Sequence, residues 1–154
     1  MHSTVATDLT GKPCTTVLFI DTNVLLYAVG RRQIESGKRS KARSILADEA
    51  FGLSVQVLQE FYVQATRSTR PDPLTHRQAA DLVLLWSQFP IQPMTIELVA
   101  SAMETAARFQ ISYWDAAIIE AARLLGCSEV LSEDLSHGQD YDGVRVTNPF
   151  RETG

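Results

Sequence analysis

The stretch Val17-Leu18-Phe19-Ile20-Asp21-Thr22-Asn23-Val24-Leu25-Leu26-Tyr27-Ala28-Val29 decides how the chain is read. Four apolar residues rich in β-formers run without interruption into a carboxylate. A short run of this kind suits a strand buried on both faces. Thr22 and Asn23 follow, and the next apolar run is long enough for a helix, with Asn23 as its expected N-cap. Strand, tight turn and helix in this order are the opening of an α/β unit.

The pattern repeats downstream. Ala42, Ile45, Leu46 and Ala50 recur at helical spacing within 36–50, and Phe51-Gly52-Leu53 reads as a short strand. Ser54 is expected to cap a helix running to about residue 67, in which Val57, Leu58, Phe61 and Ala65 share one face. Pro71 and Pro73 mark a break. Thr75 opens a helix to about residue 89, Ile91–Met94 is a short strand candidate, and Thr95 opens a helix to about residue 109. Ser112 caps a further helix stopped by Gly126. Residues 129–132 and 144–147 complete the strand candidates. Such alternation predicts a mostly parallel sheet with helices on both faces, and ligands at the carboxyl ends of its strands.

Composition narrows the class. The chain has 154 residues, a formal net charge of −4 and 45% hydrophobic residues, as expected for one domain of an ordinary globular protein. Residues 1–15 are polar and are expected to form a loose leader, with a single domain over 16–154. No apolar run approaches the ~18 residues of a membrane span, and the first residues lack the apolar core of a signal peptide. Cys14 and Cys127 lie far apart without metal-type spacing and read as thiols of a reducing cytoplasm. The phosphate-loop, dinucleotide and nucleophile-elbow motifs do not occur. The three histidines, His2, His76 and His137, have neither triad nor zinc spacing.

Four carboxylates are the candidate chemistry. Asp21 and Asp134 follow strands, and Asp115 lies three residues after the cap Ser112. Glu60 falls about 60° from Val57 on its helix, at the flank of the apolar stripe. Each one alone reads equally as a turn, cap or boundary residue. Together, three of the four fall at termini expected to share one sheet edge. Clustered carboxylates repel each other unless a cation joins them, and oxygen donors suit Mg²⁺ or Mn²⁺. Such a site suits phosphodiester hydrolysis. Six of the 14 positive residues (Arg31, Arg32, Lys38, Arg39, Lys41 and Arg43) lie within 13 positions. They are expected either as a solvated surface or as a rim that contacts phosphates.

These residues resemble the PIN-domain ribonucleases, and among them the VapC toxins of bacterial toxin–antitoxin pairs. The resemblance runs from about Val17 to Phe150. It is carried by Phe19-Ile20-Asp21-Thr22-Asn23, Gln59-Glu60-Phe61, Tyr113-Trp114-Asp115-Ala116-Ala117-Ile118 and Leu131-Ser132-Glu133-Asp134-Leu135, followed by the tail from Asp142-Gly143-Val144 to Asn148-Pro149-Phe150. It implies a three-layer α/β/α domain and Mg²⁺-dependent cleavage of RNA that inhibits translation. Asp21, Glu60, Asp115 and Asp134 would be the site carboxylates, with Asp21 and Asp115 as metal ligands. Asn23 and Ser132 would be supporting polar residues, Ser132 standing where threonine is common, and Glu133 could share the role of Asp134. Arg31, Arg32, Lys38 and Arg39 are the expected RNA-contacting set. The resemblance also implies a homodimer and a cognate VapB antitoxin whose C-terminal segment occupies the active-site groove. The apolar faces near 24–29 and 54–65 are expected either as core or as partner contacts. Two other classes remain at this point, a different Mg²⁺-dependent phosphoryl hydrolase and a non-catalytic RNA-binding module. An aspartyl-phosphate phosphatase is disfavoured, because the second aspartate it wants is Asn23 here.

Overall fold

The computed structural model describes residues 18–48 and 50–151. The expected leader over 1–15 lies outside them. Six strands form one sheet in the order β3-β2-β1-β4-β6-β5. In chain order these are β1 (Leu18–Ile20), β2 (Phe51–Ser54), β3 (Ile91–Gln92), β4 (Glu129–Leu131), β5 (Asp140–Tyr141) and β6 (Val144–Thr147). All neighbours are parallel except β5 and β6. Among the described residues, six α-helices connect them: α1 (Thr22–Val29), α2 (Ser36–Asp48), α3 (Val55–Ala65), α4 (His76–Trp86), α5 (Ile96–Phe109) and α6 (Tyr113–Leu124).

The chain steps from β1 to β2 to β3 in one direction, then crosses back to place β4 on the other side of β1. Right-handed crossovers therefore put α1–α4 on one face and α5–α6 on the other. This is the expected three-layer α/β/α arrangement. The strand order reverses between β1 and β4, where an open α/β sheet leaves a crevice at its carboxyl edge. The two strands are in register there, with Ile20 opposite Leu131.

The sheet interior is apolar on both sides. Phe19, Ile20, Leu53, Val130 and Val146 are fully buried. Phe51 stacks on Phe89 with ring centroids 4.2 Å apart, and Phe61 meets Trp86 edge to face at 4.8 Å. Ala116, Ala117, Ala121 and Ala122 are buried, and their small side chains let α6 lie close against the strands. Val24, Leu25 and Ala28 of α1 are likewise core. The apolar face near 54–65 divides. Val57 and Phe61 are core, whereas Val63 is exposed and lines an open apolar groove of about 670 Å³ with Leu84 of α4.

Ser54, Thr75, Thr95 and Ser112 cap α3, α4, α5 and α6 as their sequence context predicts. At α1 the sequence reading is corrected: Asp21, not Asn23, is the N-cap, and Thr22 is already helical. The Asn23 side chain is turned away from the helix N–H groups to bond across the crevice. β5 has no counterpart in the sequence reading. It is only two residues long and pairs through a turn in which Asp142 and Gly143 both take positive φ. An Asp-Gly pair is suited to that two-residue hairpin.

Candidate active site

Asp21, Glu60, Asp115 and Asp134 come from four different elements and border one small cleft of about 110 Å³. Asp21 follows β1, Glu60 projects from α3, Asp115 sits in the first turn of α6 and Asp134 follows β4. The crevice at the β1/β4 reversal brings them together across as many as 113 positions of sequence. Asp21 is only 7% exposed, Glu60 and Asp115 are half-buried, and Asp134 is exposed.

Every oxygen of Asp21 is accounted for. Oδ1 accepts the backbone N–H of Thr22 at 2.8 Å. Oδ2 accepts the Ser132 hydroxyl at 2.7 Å and the Asn23 amide at 3.4 Å. Burial nevertheless pushes the Asp21 carboxyl up to about 6. The Ser132 and Thr22 hydrogen bonds pull it down, and the charges of Glu60 and Asp134 push it further up. Burial also raises Asp115, opposed by the Ser112 hydroxyl and reinforced by Asp134 and Glu60. Glu60 and Asp134 are thus shared neighbours of the other two carboxylates.

The supporting polar residues form a network. Ser132 is fully buried, and its hydroxyl also accepts the backbone N–H groups of Asp134 at 3.1 Å and Leu135 at 3.3 Å. The Asn23 amide reaches Ser132 Oγ and Asp134 Oδ2, both at 3.2 Å, while its carbonyl accepts the Glu133 N–H at 3.1 Å. Asn23 therefore spans β1 and β4 and steadies the loop that carries Asp134.

Glu133 does not join the cleft. Its carboxylate accepts Tyr27 Oη–H at 2.7 Å and Lys38 Nζ at 2.8 Å. Burial works against its ionisation, but the Lys38 and Tyr27 hydrogen bonds and the Lys38 charge outweigh it and hold Glu133 below the usual range. Lys38 is committed to this pair. Arg39 and Arg43 donate to the Gly30 and Ala28 carbonyls beyond or at the end of α1, at 3.1 and 2.8 Å. Arg31 and Arg32 are exposed, without an ion-pair partner among the described residues.

Three residues at the cleft escaped the sequence reading. Thr22 donates its hydroxyl to Glu60 Oε2 at 2.8 Å, and buried Gln56 donates to Glu60 Oε1 at 3.0 Å. Gln56 stands four positions before Glu60, so their helical adjacency was the available signal. Trp114 borders the cleft and is 61% exposed.

The donor set suits a hard divalent cation, since the charged groups of the cleft are carboxylates. Among the described residues, no three Asp, Glu, His or Cys side chains converge closely enough to ligate one ion. Mg²⁺ does not demand three: it keeps several waters and commonly takes one or two carboxylates plus substrate oxygens. The raised carboxyls of Asp21 and Asp115 fit the same chemistry, because a cation would offset the burial and the neighbouring Glu60 and Asp134 charges that raise them.

No curated protein matches the sequence. Among solved structures, the chain is similar to one from a toxin–antitoxin complex of Klebsiella pneumoniae, with a TM-score of 0.64 and 18% identity over 88% of this chain and 99% of that chain. It is also similar to VapC20 of Mycobacterium tuberculosis, a sarcin-ricin loop cleaving toxin, with a TM-score of 0.59 and 19% identity over 76% of this chain and 91% of that one. A third similar structure is FitAcB from Neisseria gonorrhoeae, with a TM-score of 0.58 and 15% identity over 88% and 99% of the two chains. At these identities the likeness carries the fold. The family model of the PIN domain matches residues 18–138, the span holding all four cleft carboxylates, and the chain belongs to the PIN-domain family.

Proposed function

We propose that this chain is the toxin of a VapBC-type pair, a Mg²⁺-dependent endoribonuclease that inhibits translation in the cytoplasm. The observation that carries the reading is the convergence of Asp21, Glu60, Asp115 and Asp134 on one cleft at the β1/β4 reversal. The toxin–antitoxin complex and the sarcin-ricin loop cleaving toxin among the similar structures support it.

Asp21 and Asp115 would hold the Mg²⁺, with Mn²⁺ as a substitute. When bound, the cation supplies positive charge to the phosphodiester and to the leaving oxygen, and acidifies water. Ser132, Asn23 and Thr22 orient Asp21 and Glu60 through the hydrogen bonds already described. Glu60 and Asp134, beside the other two, are placed to accept a proton from an attacking water. The positive charge of Arg31 and Arg32 is available to RNA phosphates, whereas Lys38 and Arg39 are engaged within the fold. A cognate VapB antitoxin is the expected partner, and the exposed apolar groove where α3 meets α4 supports a homodimer.

The test is induction in a bacterial host with translation followed by radiolabelled methionine incorporation. Wild type arrests incorporation, and Asp21→Asn does not. Normal incorporation under full expression of folded wild type would count against the toxin reading.

A further inference from the structure

α6 is buried almost throughout, yet its second residue presents a large aromatic surface to water. Residues 116–122 of this helix are all buried, while Trp114 is 61% exposed. An indole left in solvent forgoes the stabilisation its area would give on burial. Its location is specific, because Trp114 borders the carboxylate cleft and directly precedes Asp115. The ring is braced on one side by Tyr113, edge to face at 5.0 Å, and Tyr113 itself packs on the core. Its main chain is tied to the site as well. The Trp114 carbonyl accepts Gln56 Nε2 at 3.3 Å, and the same amide group supports Glu60. The aromatic face is thus held at a set position relative to two of the four carboxylates.

The cleft itself is small and is lined by the four carboxylates. Its volume of about 110 Å³ is small beside a nucleobase and a phosphodiester group together. Whatever discriminates the nucleic acid must therefore lie at the rim. A π-face at the rim takes a nucleobase by stacking, which requires that base to be unstacked from its neighbours. We propose that Trp114 is a platform on which one unpaired nucleobase flanking the bond held at the carboxylates stacks. This rests on the nuclease reading above.

The test uses the full chain carrying Asp21→Asn, which binds without cutting, with and without Trp114→Ala or Trp114→Phe. Trp86 is buried and Trp114 exposed, so changes in indole fluorescence report chiefly on Trp114. The probes are a single-stranded RNA hexanucleotide, an abasic oligomer of equal length and charge, and a 12-base-pair RNA duplex. The hexanucleotide is expected to quench the fluorescence, and the other two are not. By anisotropy of end-labelled oligomers, Trp114→Ala should weaken hexanucleotide binding about tenfold or more, the range of base–aromatic stacking, and Trp114→Phe should weaken it less. Abasic binding should be equal in all three. Unchanged hexanucleotide affinity in Trp114→Ala, or quenching by the abasic oligomer, overturns the platform. The same substitution in the Asp21 chain separates the two claims. If wild type cuts RNA and Trp114→Ala keeps its kcat/KM on single strands, the platform fails and the nuclease stands. If wild type cuts no RNA but base-dependent quenching and the weaker hexanucleotide binding of Trp114→Ala persist, the nuclease fails and the platform stands.

Discussion

Ser132 Oγ donates to Asp21 Oδ2 at 2.7 Å while accepting the backbone N–H of Asp134 at 3.1 Å, so one buried hydroxyl links the carboxylate at the end of β1 to the loop after β4. Ser132→Ala removes the donor from a carboxylate that is almost fully buried. Losing a hydrogen bond to such a charged group costs about 1–3 kcal/mol. Urea denaturation at pH 7.5 should show a loss in that range, and Ser132→Thr should restore most of it. Full stability in Ser132→Ala would show that the hydroxyl does not support Asp21.

Asp21 gives the metal-free protein a distinctive pH dependence. Its carboxyl lies near 6 in the folded state and at 3.8 when unfolded. Between these values the folded state binds the extra proton, so stability is present at low pH and is lost as pH rises through about 6. A shift of about two units corresponds to about 3 kcal/mol. Denaturation midpoints from pH 4 to 7.5, in EDTA, should fall more steeply for wild type than for Asp21→Asn. Parallel curves would remove Asp21 as the cause. Mg²⁺ at pH 7.5 should stabilise wild type more than the variant.

Gln56 and Thr22 hold Glu60 through separate oxygens. Groups that orient metal-site carboxylates typically contribute about 10–100-fold in activity or metal affinity. Gln56→Ala and Thr22→Val should each lower kcat within that range while RNA affinity, measured by filter binding, changes little. A defect confined to KM would assign them to substrate binding instead.

Neighbouring acids should behave differently. Glu133 faces Lys38 and Tyr27, and its ion pair is partly exposed, 27% on the Glu133 side and 41% on the Lys38 side. Such pairs contribute at most about 1 kcal/mol. Glu133→Gln should keep near-wild-type cleavage with a small stability loss, whereas Asp134→Asn should lose most cleavage. Equal loss in both would place Glu133 in the chemistry.

Much of the architecture was legible because it is written locally. Apolar runs at residues 18–20 and 51–53 and the caps Ser54, Thr75, Thr95 and Ser112 signal strand–helix alternation without reference to distant residues. The hairpin of Asp140–Tyr141 was not, because two residues are too few to show a period. The four carboxylates were readable as candidates by position and family resemblance, and Asn23 and Ser132 as supporting residues by resemblance alone, but the bonds each one makes were not. Asn23 looks like a cap in its local context and is claimed instead by Ser132 and Asp134, more than 100 positions away. Lys38 looks like part of a solvent-facing basic run until the fold sets Glu133 beside it. Side-chain direction at Glu133 and Asp134 is a tertiary property, and adjacent positions with the same chemistry diverge.

The central claim is that the clustered carboxylates cut RNA with a divalent cation. Its most direct test is RNA cleavage by purified, antitoxin-free protein in Mg²⁺, with an EDTA arm and Asp21→Asn run in parallel. Site-specific cleavage by wild type in Mg²⁺, lost in EDTA and lost in the folded variant, is the predicted result. Cleavage by Asp21→Asn at the wild-type rate, or by wild type in EDTA, would contradict it.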